Sequence, residues 1–313
     1  MLDLQSQNYG CHLGPTLCLL TPQAYLPVLD PDDDWHLNDD ISVVHPARSP
    51  VEAAAPFVPD SWTVWVSDPA TRIELPYFLD GPLAGAVLAD RDWRDLDDAQ
   101  RRNLVLCDLL VSPNHARDRV AEWRWEASRL AEGFAQLGYA VVRRLIPPLH
   151  VATLRQHYRL LSQRGMLHRG DAQSPRRSVI HNEPLARYFH RQLTGVVSEI
   201  VGHAVKPAYV YSAIYEGGAV LERHVDREQC AYTLSLAVDF SPEPTGDTPW
   251  PLGLDLPAGT GRATPVYVWQ GLGDGILFRG RELPHFRDPL PQECRSTSLF
   301  FHYVDAAFTG TLD

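Results

Sequence analysis

The sequence predicts an α+β protein, with a strand-rich barrel or jelly roll supported by helices and a small α/β region in front of it. Three observations carry that expectation. From Lys206 onward the apolar residues recur every second position, the repeat of a strand with two unlike faces. Before that, residues 114–201 carry long helical repeats. The first 112 residues differ in charge: they hold 18 Asp/Glu against 6 Arg, leaving 21 acidic and 22 basic residues for 113–313. Such asymmetry predicts two regions, 1–112 and 113–313, with different tasks.

Residues 1–50, rich in Pro and Asp, read as loops around short strands at Thr16–Leu20 and Ile41–Val44. Trp62-Thr63-Val64-Trp65-Val66 and Arg72–Leu75 around Ser67-Asp68-Pro69 predict a hairpin. Leu83–Leu88 and Ala99–Leu110 read as helices, the second with Asp97-Asp98 at its N-terminus. A hairpin with short helices suggests a small winged-helix-like module. Val120, Trp123, Trp125, Leu130, Phe134 and Leu137 mark a longer helix that Gly138 closes. A strand at Tyr139–Ile146 stops at Pro147-Pro148, and a helix at His150–Gln163 follows. The polar segment Gly165–Pro175 reads as a loop, and Glu183–Val201 as one helix ending at Gly202. Tyr209, Tyr211, Ala213 and Tyr215 share one face of the next strand. Further strands are expected at Cys230–Phe240, Thr264–Gln270, Gly275–Phe278, His285–Asp288 and Thr297–Val304.

Composition excludes several function classes. A net charge of −11 argues against nucleic acid as the main partner, because phosphate binding wants a basic face. No apolar run approaches the roughly 20 residues of a membrane span, and the N-terminus lacks a basic n-region, so a cytoplasmic protein is expected. The five cysteines include no C-x-x-C pair and read as reduced thiols. Lys206 is the sole lysine, so Schiff-base chemistry would rest on it alone. Gly271-x-Gly273-x-Gly275 lacks the spacing and context of a dinucleotide loop and reads as a turn.

The chemistry concentrates near the end. His224-Val225-Asp226 on an extended segment puts both side chains on one face, and His285 opens a later strand. Two imidazoles and one carboxylate suit Fe(II) better than zinc or calcium and leave coordination positions open. Arg295, ten residues after His285, shares a face with Thr297. Together they offer a guanidinium fork and a hydroxyl to one carboxylate. The stretch Arg164–Arg191 is basic, and within it Arg177 and His181 are candidates to meet a substrate carboxylate. Trp250, between two prolines, is a candidate substrate residue on what reads either as a lid or as a packed turn, whereas His302 reads as structural.

A Tyr-rich first strand, His224-x-Asp226, the Gly273-Asp274-Gly275 turn, His285 and Arg295 follow in that order. In this ordered set the chain resembles the 2-oxoglutarate and Fe(II)-dependent oxygenases, over roughly residues 139–307. The resemblance implies a double-stranded β-helix of the jelly-roll type. It implies His224, Asp226 and His285 as iron ligands, Arg295 assisted by Thr297 as anchor for the far carboxylate of 2-oxoglutarate, and Tyr211 or Tyr215 as the aromatic co-substrate contact. The prolyl hydroxylase branch has Lys where Arg295 stands, so that branch is a looser analogy. It further implies O₂ as co-substrate and hydroxylation (or desaturation) of an amino acid, peptide or related small metabolite, because Asp226 is retained where related halogenases lose the carboxylate. The acidic N-terminal region is expected to hold a peptide or carrier partner. The rival expectation is a cupin-like metal-binding or sensor barrel without oxygenase activity, in which Arg295 has no role.

Overall fold

Alternating apolar residues can bury one strand face only if a second layer covers it, and the C-terminal half meets that demand with two sheets. The computed structural model describes residues 11–12, 29–30, 32–38, 41–44, 62–79, 93–171, 173–257, 259 and 265–313. The expected elements at Thr16–Leu20 and Leu83–Leu88 lie outside the described residues. The chain divides into two compact units, one within Asn8–Trp125 and one within Glu126–Asp313.

The first unit holds β1 (Cys11–His12), β2 (His36–Leu37), β3 (Ile41–Val44), β4 (Trp62–Ser67), β5 (Glu74–Leu79), α1 (Asp98–Leu106) and β6 (Leu110–Val111). Strands β1-β5-β4-β3 form one sheet, with β1 parallel to β5. The expected hairpin is β4–β5. Its turn is fixed by Asp68, whose Oδ1 accepts from the Ala70 and Thr71 amides at 2.8 and 2.7 Å. Asp97 caps α1 by accepting from the Gln100 amide at 2.8 Å, and Gln100 returns the bond to the Asp97 amide. This helix stops four residues short of Leu110, where Asp108 takes a positive φ and β6 pairs with β2.

The long helix α2 (Pro113–Leu137) starts the strand-rich half. The division between units falls inside it, after Trp125. Its first half belongs with the hairpin unit, because Arg119 pairs with Asp68 and Asp108 there. Then follow β7 (Tyr139–Val142), α3 (Pro148–Gln163), β8 (His168–Arg169) and β9 (Arg177–His181). Helices α4 (Pro184–Gln192) and α5 (Thr194–Val201) occupy the segment expected as one helix. The break is at Leu193, beside the pair Thr194-Gly195 with its low helix propensity; the Thr194 hydroxyl donates back to the His190 carbonyl at 3.1 Å.

The remaining strands are β10 (Val205–Glu216), β11 (Leu221–His224), β12 (Tyr232–Ser241), β13 (Leu252–Leu254), β14 (Val266–Val268), β15 (Gly275–Phe278), β16 (His285–Arg287) and β17 (Arg295–Asp305). Seven strands form one sheet in the order β7-β15-β12-β17-β10-β9-β8, and four form another in the order β11-β16-β13-β14. This is the two-sheet arrangement expected of a jelly roll. The outer face of the large sheet is covered by helices. There Tyr158 of α3 donates to Glu183 at 3.0 Å and sits 3.2 Å from Ser212 of β10. The inner face meets the small sheet across the core. Among the described residues, no helix is long and apolar enough to cross a membrane.

Candidate functional site

Pairing of β11 with β16 sets His224 directly opposite His285, with ring centroids 4.3 Å apart. Each ring is oriented by its own backbone. His224 Nδ1 donates to the Glu222 carbonyl at 2.7 Å, and His285 Nδ1 donates to the Leu283 carbonyl at 3.0 Å. Both Nε2 atoms are left as acceptors facing the same space, the second-sphere device that fixes a metal-binding tautomer. Asp226 lies just beyond the end of β11, held by its amide donating to the Gly280 carbonyl at 2.8 Å. Its Oδ1 stands 3.8 Å from His224 Nε2 and 3.6 Å from His285 Nε2. All three donor atoms lie within 4.8 Å of one another. One ion with bonds of roughly 2 Å reaches all three.

The other carboxylate oxygen is also placed. Thr233 of β12 donates its hydroxyl to Asp226 Oδ2 at 2.7 Å, and His302 Nδ1 lies 3.0 Å from the same hydroxyl. The Thr proton is spent on the carboxylate, so His302 is the donor to Thr233. Burial by itself raises the Asp226 pKa. The neighbouring His285 and His302 and the Thr233 hydrogen bond together hold it below the ordinary carboxylate range. Burial, and then the neighbouring His285, lower the pKa of His224. A carboxylate beside neutral imidazole is the protonation state that metal binding needs.

Gly280 makes this packing possible. A Cβ there would lie 2.3 Å from Asp226 Oδ2 and 2.6 Å from the Cys230 carbonyl. Nothing in the sequence around Gly280 marks this role. Cys230 itself forms a second donor group with Asp226 and His302. Burial, followed by the charge of Asp226, pushes its thiol up to about 12, so it stays protonated and is a poor ligand beside the imidazoles.

The three ligand residues open on a cavity of about 470 Å³ between the two sheets. Leu221, Leu252, Phe278 and Phe300 supply apolar wall, while Tyr209, Tyr211 and Tyr215 enter from the inner face of β10, as their alternation predicts. Arg177 and His181 line the same cavity. The sequence leaves their segment as a basic loop and helix, but it forms β9, which pairs with β10 and sets Arg177 opposite Tyr215. Arg177 is 4% exposed. It donates from Nε to Asp171 Oδ2 at 2.7 Å and from Nη1 to the Tyr215 hydroxyl at 3.1 Å. Tyr211 donates to the same Asp171 oxygen at 2.6 Å. His181 pairs with Asp313 at 3.2 Å and packs on Tyr209 with ring centroids 5.0 Å apart. Trp250 is buried behind Tyr215, centroids 4.9 Å apart, with its indole N–H donating to the Asp288 carbonyl at 2.6 Å. It is a packed core residue, not a lid.

Arg295 and Thr297 require a correction. Strand β17 keeps unbroken alternation, and Phe300 and His302 line the cavity. Arg295 and Thr297 have the opposite parity and face away from it. Arg295 Nη2 donates to Ser162 Oγ of α3 at 2.6 Å, and Thr297 is 3% exposed opposite Ile214, whose face is turned to the helices. Neither residue reaches the site that a dicarboxylate at His224, Asp226 and His285 would fill. His302, expected to be structural, does touch the cavity.

No protein-family model matches the chain, and no curated protein matches it. Solved structures do. The non-heme alpha ketoglutarate dependent epimerase SnoN from nogalamycin biosynthesis matches at 16% identity and a TM-score of 0.48, over 58% of this chain and 84% of its own. A Pseudomonas putida prolyl-4-hydroxylase matches at 16% identity and a TM-score of 0.45, over 58% of this chain and 100% of its own. HygX from Streptomyces hygroscopicus, solved with nickel, 2-oxoglutarate and hygromycin B, matches at 16% identity and a TM-score of 0.45, over 58% of this chain and 88% of its own. Each of these structures is similar to this chain over little more than half of its length.

Proposed function

We propose that the chain is a 2-oxoglutarate-dependent non-haem iron oxygenase that hydroxylates an unactivated C–H bond of an amino acid, peptide or related small metabolite. The observation that carries this reading is the placement of His224 Nε2, His285 Nε2 and Asp226 Oδ1 around one point at the wall of a mainly apolar cavity. Two neutral nitrogens and one carboxylate on one side leave the other side of an ion free for ligands. Iron bound there supplies the redox chemistry by which R–H, O₂ and 2-oxoglutarate become R–OH, succinate and CO₂. The chain's own residues do the rest. Glu222 and Leu283 hold the imidazole tautomers, Thr233 and His302 fix the carboxylate, and the apolar wall limits water around the reacting centre.

The retained Asp226 favours hydroxylation, because loss of that ligand is what makes room for a halide. The enzyme is proposed to act in the cytosol. Its acidic N-terminal region is proposed to hold a peptide or carrier-bound substrate, so deletion of residues 1–112 should weaken action on the true substrate and spare metal binding. One observation favours a metal-binding barrel without oxygenase activity: Arg295 faces α3. The two readings separate in one assay. Purified protein with Fe(II), 2-oxoglutarate and O₂ should release succinate, and Asp226→Ala should not. Succinate from neither protein, with metal still bound by the wild type, would leave the non-catalytic barrel.

A further inference from the structure

Among the described residues two guanidinium groups line the cavity, and they are held in opposite ways. Arg177 is buried and neutralised by Asp171. Arg227 directly follows Asp226, is exposed to solvent and still lines the cavity, so it stands at the opening beside the ligand residues. Its guanidinium lies over the Tyr209 ring, 4.4 Å from the centroid, and its Nε donates to the Tyr209 hydroxyl at 3.1 Å. That hydroxyl lies 3.0 Å from Cys230 Sγ. Burial raises the pKa of both the phenol and the thiol, so the neighbours of Arg227 are neutral. Among the described residues no carboxylate lies within ion-pair distance of Arg227. In a chain of net charge −11, the opening of this cavity carries a cation with no counter-charge.

Exposure alone would make Arg227 an ordinary surface side chain. The ring contact and the Nε bond set it apart, because together they fix the plane of the guanidinium and leave its two Nη groups as donors for a ligand. That edge offers one charge and two parallel N–H groups, which match the two oxygens of a carboxylate. A phosphate dianion would call for a second cation, and His181, the basic side chain that also packs on Tyr209, is engaged by Asp313 at 3.2 Å. The adjoining surface is apolar. Val225, 49% exposed, lines the same opening, and Leu221, Leu252 and Phe278 continue the wall inward. The ligand that fits has a carboxylate at the opening and an apolar body within.

We infer that Arg227, oriented by Tyr209, is the receptor for a free carboxylate on the primary substrate, whose apolar body lies against the wall that leads to His224, Asp226 and His285. The inference rests on the proposed oxygenase reading and narrows its substrate to an apolar acid, a free amino acid or a peptide with a free carboxylate, over the corresponding amide or ester. Arg177 and His181, which the sequence offers for this role, are not open to it, because each already faces an aspartate.

The test compares acids with their own amides on protein loaded with redox-inert Mn(II) and saturated with 2-oxoglutarate. The probes are 3-phenylpropanoate, hexanoate and N-acetylleucine, each against its amide. Manganese-induced broadening of the probe's proton resonances reports its dissociation constant and its approach to the metal. In wild type at least one acid should bind about tenfold more tightly than its amide, the scale of a charge-assisted hydrogen bond open to solvent. Arg227→Met should lower that preference to about twofold or less by weakening the acid alone. Arg227→Lys, which keeps the charge and loses the fork, should fall between the two. Calorimetry should find the 2-oxoglutarate affinity of Arg227→Met within about twofold of wild type, which also reports that the fold and the metal site survive. If wild type prefers none of the acids, if Arg227→Met keeps the wild-type preference, or if Arg227→Met loses 2-oxoglutarate affinity instead, the inference is overturned and the oxygenase reading stands. If Arg227→Met does not fold, an unchanged preference in Arg227→Gln overturns it. If wild type with Mn(II) does not bind 2-oxoglutarate, the oxygenase reading falls and the inference with it.

Discussion

The two faces of β17 carry different work on one strand. Phe300 and His302 look into the cavity, where His302 donates through Thr233 to the metal-facing carboxylate. Arg295 looks the other way and bonds Ser162 of α3, with Thr297 on the same face. The spacing from His285 to Arg295 counts residues, but a strand sorts residues by parity. A one-residue difference in the connecting segment is enough to send a guanidinium to the helices instead of the site.

Variants that break the inner face should cost most. His224→Ala or Asp226→Ala removes a ligand atom, so succinate formation should vanish and metal affinity should fall by more than the 10–100-fold typical of outer-shell partners. Equilibrium dialysis with Mn(II) measures the second effect without turnover. Next comes Gly280→Ala, whose new methyl must displace Asp226 Oδ2, 2.3 Å away. A loss of metal affinity of roughly 10–100-fold is expected, and unchanged affinity would show that Asp226 is not held as described. Thr233→Val should weaken the metal about tenfold, with Thr233→Ser restoring it, because only the hydroxyl bonds Asp226. On the outer face, Arg295→Ala should leave the concentration of 2-oxoglutarate needed for half-maximal turnover within about twofold of wild type. It should cost no more than about 1 kcal/mol of stability, the worth of one partly exposed hydrogen bond.

The smallest and most diffuse effect is on pH. His150 and His190 lie in the helix layer, and burial lowers each pKa to about 3. In the unfolded chain both titrate near 6.5. Between those values the unfolded state binds more protons, so stability is full above about pH 6.5 and falls as pH drops towards 3. The melting temperature should decline over that range, and His190→Leu should make the decline shallower. A melting temperature flat from pH 7 to pH 4 would mean that these histidines are not buried neutral.

Much of this was legible in the sequence because it depends on local periodicity. The Tyr209/Tyr211/Tyr215 alternation, the Asp97 cap and the Asp68 turn are written within a few residues of where they act. The His224/Asp226/His285 set was legible as residue types, and cross-strand pairing then brings its donors together. What stayed hidden depends on register between distant strands. β9 hides in a basic segment because its partner is β10 and its charge is buried against Asp171. Gly280 and Thr233 have no local signature, since each is defined by the atom of Asp226 it meets.

The most direct measurement is anaerobic absorption spectroscopy of the protein titrated with Fe(II) and then with 2-oxoglutarate. A weak visible charge-transfer band should grow to one equivalent of 2-oxoglutarate in the wild type and in Arg295→Ala, and should be missing in Asp226→Ala. No band in the wild type at saturating Fe(II) and 2-oxoglutarate, or an undiminished band in Asp226→Ala, would contradict an iron site built from His224, Asp226 and His285.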